Sequence, residues 1–503
     1  MPSERERVVP VASASYSNLV GFIFIFNLIV GTGALTLPGV FAKAGWFLGL
    51  VVILLLAIMS YMTVTFIIEA MAGANAIKNW QNLQVRRRTR NSIGTSDDER
   101  DLESTPLIGS GAEESHYYQL THKFELGEMA SLFFNDFGRV LFYLCFIVYL
   151  FGDLSIYSTA VSRSLRDIIC EHDRSNSSDI SIVESKTMYQ PGNFQSKGNH
   201  TCWKDHSISR IHMYRIILIA FNVIFGPIIL CGIQKTKYLQ MLTAIFRWLA
   251  FTFMICIATK LLITDGAKGH PVGVNFYGSP PLFGACVYSF MCHHSLPSLL
   301  APLRNKSKVS KILSYDYIVI CMFYIVLAMT GIFAFEHVED LYTLNFLPDQ
   351  ENSKDFLSGL YVVIDYFLSL FPVFTLSTSF PVIAVTLKNN LQILFLDMSR
   401  YESYNLCIRA LFPLMTILPS FCVAYLTDSL STLVAFTGSY AGTGIQYIIP
   451  VCLLYFSRRT CTELLGSGIV NHFQSPFKSN GWLILVLIWS FICVVLVSIN
   501  LFH

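Results

Sequence analysis

Three features of this sequence place groups able to hold ions or small polar solutes inside otherwise apolar chain. The first is the run Asn27-Leu28-Ile29-Val30-Gly31-Thr32-Gly33-Ala34-Leu35-Thr36-Leu37-Pro38. Two glycines flanking a threonine, with a proline following, are poor material for an unbroken helix. A half-helix beginning near Gly33 presents unpaired N–H groups and a positive dipole end, a natural seat for a carboxylate. The plainer reading is a close helix–helix contact between small residues. The second feature is Tyr288-Ser289-Phe290-Met291-Cys292-His293-His294-Ser295-Leu296-Pro297, again polar and proline-bearing. His293 and His294 are neighbours, so on a helix they point about 100° apart and cannot readily chelate one metal. No metal site and no cofactor is expected. The third is a set of charges within apolar runs, Asp153, Asp365 and Arg247. Each is costly in lipid unless paired or wetted. Asp153 is read either as a proton-linked group or as a buried structural partner. Glu69 lies near enough to the end of its run to reach water.

These residues need membrane-crossing elements to position them. Of the 503 residues, 53% are apolar and 14% charged, against roughly 25% charged in a soluble domain. The 35 Lys+Arg against 33 Asp+Glu leave a net charge of +2, so no broad basic footprint for nucleic acid exists. Thirteen Cys are too sparse for a disulfide scaffold. The composition is that of an all-α polytopic membrane protein, a single membrane domain over 1–503. No nucleophile, base and metal set converges, so an enzyme is not expected. Windows of about 20 apolar residues give eleven candidate spans, near 17–43, 46–72, 138–164, 212–233, 238–264, 282–303, 313–335, 356–387, 405–426, 430–456 and 481–502.

A cytosolic N-terminus puts the basic loops on one side: Arg86-Arg87-Arg88-Thr89-Arg90, Lys235-Thr236-Lys237, Arg304 to Lys311, Lys388-Asn389-Asn390 and Arg458-Arg459. The segment 166–211 then faces the lumen. It carries glycosylation sequons at Asn176 and Asn199, together with Cys170 and Cys202, expected to pair where disulfides persist. The charge-dense insert 74–126 reads as mostly disordered cytosolic chain, ending in a short amphipathic helix over 124–129. Within it, Glu103-Ser104-Thr105-Pro106-Leu107-Ile108 fits the acidic dileucine pattern that sorting adaptors read, with Glu103, Leu107 and Ile108 as its anchors. Late endosomes or lysosomes are the favoured address, with the plasma membrane as the alternative.

The two interrupted segments occupy matching positions, first and sixth, in two five-helix halves of opposite direction. That arrangement is the best sequence pointer to a central binding site. The runs GTGALTLPGVFAKAGW, YSFMCHHSLPSL and GSYAGTGIQYIIPVCLLY resemble the first, sixth and tenth helix motifs of the amino acid/auxin permease family, and the resemblance spans nearly the whole chain apart from 74–123 and part of 166–211. It implies a LeuT-type fold, a five-plus-five inverted repeat with an eleventh helix. It also implies secondary transport of amino acids or similar small zwitterions by alternating access, driven by a proton or sodium gradient.

Carried over by position, the resemblance places the substrate carboxylate at the N–H groups of Gly31, Thr32 and Gly33. The amino group would lie near Tyr288, Ser289 and Cys292, with Tyr157, Ser439 and Tyr440 as walls. Tyr157 is equally readable as a packed aromatic. In such folds a sodium site lies between the first break and hydroxyls of the eighth helix, here Thr378 and Ser379. Arg247 falls level with them by helical rise. It is read as standing in for sodium and bonding carbonyls freed by the break, as snorkelling to the cytosol, or as paired with a carboxylate. If it fills the site, transport is sodium-independent and Asp153 becomes the coupling group. A sensor signalling through the insert, and a scaffold without transport, are the competing functional classes.

Overall fold

The computed structural model describes residues 16–93, 117–170, 201–203, 206–230, 237–347, 356–396, 405–466 and 468–502. The chain opens with α1 (Asn18–Ile29) and α2 (Thr32–Ala44), followed by α3 (Trp46–Ile93), α4 (Leu126–Phe133) and α5 (Asp136–Ile169). A short antiparallel hairpin, β1 (Thr201–Trp203) and β2 (His206–Ser209), leads into α6 (Arg210–Phe225) and α7 (Lys237–Thr264). Then come α8 (Ser279–Ser289), α9 (Leu296–Leu300), α10 (Val309–Ala334), α11 (Phe356–Phe395) and α12 (Leu406–Leu426). The last elements are α13 (Leu430–Thr437), α14 (Ile449–Leu465) and α15 (Asn480–Phe502), with π-helical turns over Gly438–Gly442 and Gly444–Ile448 between α13 and α14.

Among the described residues, seven helices are long and apolar enough to cross a membrane. An eighth span follows if α1 and α2, bent by 53° at their break, are taken together. Of the three remaining candidate spans, 405–426 forms the continuous helix α12, whose apolar stretch Ala410–Leu426 is shorter, and the other two are interrupted. Residues 282–303 divide into α8 and α9, and 430–456 contain the π turns. Lipid offers no partner to a freed backbone group, so such interruptions persist only where protein or a polar cavity meets them.

Packing between apolar helices in lipid rests on close fit more than on water exclusion. The long helices α5 and α11 run against each other, α3 packs on α14, and α2 packs on α8. Gly33 allows that last approach: a Cβ there would lie 2.6 Å from Ser289 Oγ and 2.7 Å from Ser289 Cα. On α1, Phe26 stacks on Trp248 of α7, the centroids 4.0 Å apart.

The insert is more ordered at its margins than its composition predicts. Helix α3 continues from the apolar run through to Ile93, so residues 74–93 are helical. Residues 117–125 return against that extension. Asn75 Nδ2 donates to the His122 carbonyl oxygen at 3.2 Å, and its Oδ1 accepts from His122 N–H at 2.8 Å. Tyr118 and Leu120 are buried. The reason is local: Lys78 lies over the Phe124 ring, and Asn75 gives extended chain a pair of amide partners. The amphipathic helix expected over 124–129 is α4, starting at a capping box between Glu125 and Glu128. Glu103, Leu107, Ile108, Asn176 and Asn199 lie outside the described residues. Cys170, at the end of α5, and Cys202 on β1 form a disulfide with Cα atoms 4.6 Å apart.

Candidate functional site

The two breaks lie side by side, and their backbone groups are accounted for unevenly. Helix α1 ends at Ile29 and α2 starts at Thr32, with Val30 and Gly31 between them. Two of the carbonyl oxygens at this gap, those of Asn27 and Ile29, are taken by side chains from other helices. Arg247 Nη1, from α7, donates to the Asn27 carbonyl at 2.5 Å. Tyr324 Oη, from α10, donates to Ile29 O at 3.1 Å and to Ser289 O at 2.9 Å, so one hydroxyl bridges the ends of α1 and α8. Ser60 Oγ reaches the Phe290 carbonyl at 3.4 Å. The N–H groups of Gly31, Thr32 and Gly33 show the opposite state: among the described residues none donates to a protein acceptor. A Cβ placed on Gly31 would meet only Ile29 O, at 3.9 Å, so the chain is open beside it. N–H groups left free at the dipole's positive end make a seat for an anion.

Around this seat stand three phenols and a carboxylate. Asp153 on α5 is 3% exposed, lies beside the hydroxyls of Tyr149 and Tyr288, and has no hydrogen-bond donor on Oδ1. Tyr288 Oη is 3.4 Å from Thr32 Oγ1, which connects α8 to the start of α2. Tyr157, about one turn along α5 from Asp153, lies within electrostatic reach of both Asp153 and Arg247. Ser289 hydrogen-bonds within α8, its Oγ donating to Ala285 O at 2.7 Å. Ser439, on the first π turn, is fully buried against Gly284 of α8. A π turn widens a helix and is frequent at functional sites.

Other residues singled out from the sequence lie differently. Tyr440 turns away: its hydroxyl is 3.1 Å from Ser498 Oγ on α15. Cys292 lies in the second break, with its Sγ 3.4 Å from Tyr317 Oη of α10. Thr378 and Ser379 both donate back to the Thr375 carbonyl of their own helix, at 2.9 and 3.0 Å. The guanidinium of Arg247 meets the Asn27 carbonyl, with Tyr157 and Tyr324 beside it, and no bond joins it to either hydroxyl. His293 Nε2 is 2.9 Å from Thr63 Oγ1, and His294 lies against the rings of Phe146 and Tyr149. Among the described residues no three His, Cys, Asp or Glu side chains are grouped as metal ligands.

Sequence reading missed Tyr149, Tyr324 and the polar ends of the bundle. At one end, Glu69 accepts both Arg458 Nε and Nη2, at 2.7 and 2.9 Å, and Ser475 N–H at 2.8 Å. At the other end, Asp167 accepts from Arg166 and Arg210, both at 2.7 Å, and Arg166 reaches Asp428 at 3.4 Å. Asp340 pairs with Lys43 of α2 at 2.7 Å and with Arg163 of α5 at 3.6 Å. Burial alone would raise the Asp340 carboxyl, but Lys43 and Arg163 hold it below the ordinary carboxylate range. The signal available was Arg163, Arg166 and Asp167 crowding the end of an apolar run. Tyrosines within apolar helices give no comparable signal.

Comparison with known proteins adds an independent line. The family described as "Transmembrane amino acid transporter protein" matches residues 14–89 and 109–500. A Drosophila melanogaster protein named "Transmembrane protein 104 homolog" is 67% identical over 506 residues, covering 98% of each chain. The Homo sapiens "Transmembrane protein 104" is 41% identical over 499 residues, covering 97% of this chain and 96% of its own. A Dictyostelium discoideum homologue is 32% identical, covering 97% and 98%.

Proposed function

This chain belongs to the transmembrane amino acid transporter family, and on that premise we propose that it moves amino acids or similar small zwitterions by alternating access, without sodium. The observation that carries this reading is the asymmetry of the first break. Free N–H groups at Gly31, Thr32 and Gly33 suit the carboxylate common to all amino acids, while the Asn27 and Ile29 carbonyls are already engaged by Arg247 and Tyr324. The substrate's amino group then faces the Tyr288 and Asp153 side, with Tyr157 and Ser439 as walls. Cys292 lines the second break.

A LeuT-type arrangement of eleven spans with a cytosolic N-terminus accommodates these facts. Pairing of α2 with α8 and of α5 with α11 is what two inverted halves would give. In that frame Arg247 stands at the sodium position, a fixed positive charge on a carbonyl that sodium would otherwise hold. Thr378 and Ser379 spend their hydrogens on their own helix. Coupling then falls to a titrating group, and Asp153 is the one at the site. Uptake of labelled amino acids into proteoliposomes, under sodium and proton gradients applied separately, tests this. Proton-driven, sodium-independent uptake is expected. Strict sodium dependence that survives Arg247→Lys would overturn it.

Topology and address are tested separately. Asn176→Gln with Asn199→Gln should abolish a glycan-dependent gel shift, and Leu107→Ala with Ile108→Ala should move the protein from lysosomes toward the cell surface. A sensor role draws support from the returning end of the insert. Its Leu120 carbonyl accepts from Lys306, beside the segment that joins α9 to α10, so the insert is tied to the region of the second break. Substrate-dependent capture of cytosolic partners by the 74–126 segment would favour sensing.

A further inference from the structure

We propose that Asp316 is a second proton-binding site, which receives the proton leaving Asp153 and passes it toward the end of the bundle where α1 begins. This rests on the proton-coupled reading above. Asp316 lies on α10, is 0% exposed, and neither Oδ1 nor Oδ2 has a hydrogen-bond partner among the described residues. It stands eight residues before Tyr324, whose hydroxyl marks the level of both breaks. At helical rise that is about 12 Å along the axis. A carboxylate buried without donor or counter-charge carries a desolvation penalty of several kcal/mol, and a proton removes the charge.

The groups facing it supply no such counter-charge. Helix α1 carries no titratable side chain, α2 carries only Lys43, which pairs with Asp340, and α3 contributes the Tyr61 phenol to this region. On α7, Arg247 bonds the Asn27 carbonyl, with Tyr157 and Tyr324 beside it. Cys292 lies within electrostatic reach of Asp316, and also within range of Tyr149, the phenol beside Asp153. Tyr317, next in the chain, bonds both Cys292 Sγ, at 3.4 Å, and Ser60 Oγ, at 2.9 Å. Groups able to carry a proton therefore connect the two acids across the second break. The step is a simple exchange: Asp316 first releases its resting proton toward the end of the bundle where α1 begins, and the Asp153 acid then becomes a carboxylate as the Asp316 carboxylate becomes an acid again, with no change of electrons.

Two measurements on the purified full-length protein test this. In proteoliposomes, a gradient of one pH unit supports about tenfold accumulation at one proton per substrate. Asp316→Asn should collapse accumulation to about the external concentration, within this same one-proton frame, while counterflow exchange without a gradient persists. Unchanged accumulation and pH profile in Asp316→Asn would overturn the proposal. The second readout is the infrared difference spectrum of wild type minus Asp316→Asn across pH, with Asp316→Glu as a second variant. A protonated carboxylic-acid band at neutral pH is expected, shifted in Asp316→Glu. An ionised carboxylate there at neutral pH would overturn the proposal even if wild-type transport proved independent of protons, an outcome that would count against the coupling reading alone.

Discussion

Replacing Gly33 by alanine inserts one methyl group where α2 meets α8, and the structure sets the size of the effect. The new Cβ would lie 2.6, 2.7 and 2.9 Å from Ser289 Oγ, Cα and N. Carbon atoms in ordinary contact sit about 3.5–4.0 Å apart, so the two half-helices must part by about 1 Å. Two of the three opposing atoms are backbone, which cannot swing aside as a side chain would. Overpacking of this kind costs about 1–3 kcal/mol, and the upper half of that range is expected here. The same displacement stretches the bridge from Tyr324 to Ile29 O and Ser289 O. Gly31→Ala is the internal comparison. Its methyl would meet nothing nearer than Ile29 O at 3.9 Å and would project beside the free N–H groups. Thermal unfolding in nanodiscs should show a lower Tm for Gly33→Ala and a near-wild-type Tm for Gly31→Ala. Substrate affinity should fall in Gly31→Ala despite the intact fold. Equal stability of wild type and Gly33→Ala would refute the packing argument. Unchanged affinity in Gly31→Ala would refute the carboxylate seat.

Three further outcomes follow from the polar ends of the bundle. Because Asp340 is held below the ordinary carboxylate range, its contribution to stability is present above about pH 4 and is lost only as pH falls below that. The Tm difference between wild type and Asp340→Asn should therefore stay constant from neutral pH down to about pH 5; a difference that shrinks over this interval would show the ion pair titrating earlier. Cys170→Ser removes a crosslink between residues 32 apart in sequence, worth about 3–4 kcal/mol by loop entropy, and reduced thermal stability of the purified protein should register it. Glu69→Gln leaves Arg458 without its counter-charge and should lower stability by about 3 kcal/mol, with partial recovery in the double variant Glu69→Gln, Arg458→Met; a double variant as unstable as the sum of the singles would show that the pair is not coupled.

Composition and run length were enough to establish a polytopic α-helical membrane protein, since lipid admits long apolar helices and few alternatives. The glycines at 31 and 33 with Pro38, and the polar run ending at Pro297, marked both helix breaks for the same reason: backbone conformation at Gly and Pro is a local property. Charge in apolar runs likewise drew attention to Asp153 and Arg247. What could not be read from the chain was which groups meet across helices. That Arg247 bonds Asn27, that Tyr324 joins the ends of α1 and α8, and that Tyr440 faces α15 rather than the breaks all depend on helix rotation. A tyrosine in an apolar helix looks the same whether its hydroxyl bridges two breaks or caps a lipid-facing turn. Nor did composition reveal that 74–93 continue α3 and that 117–125 fold back on it, because polar chain looks unstructured until Asn75 gives its amides a partner. Backbone breaks are encoded locally, whereas partners for the groups they free are supplied by residues hundreds of positions away.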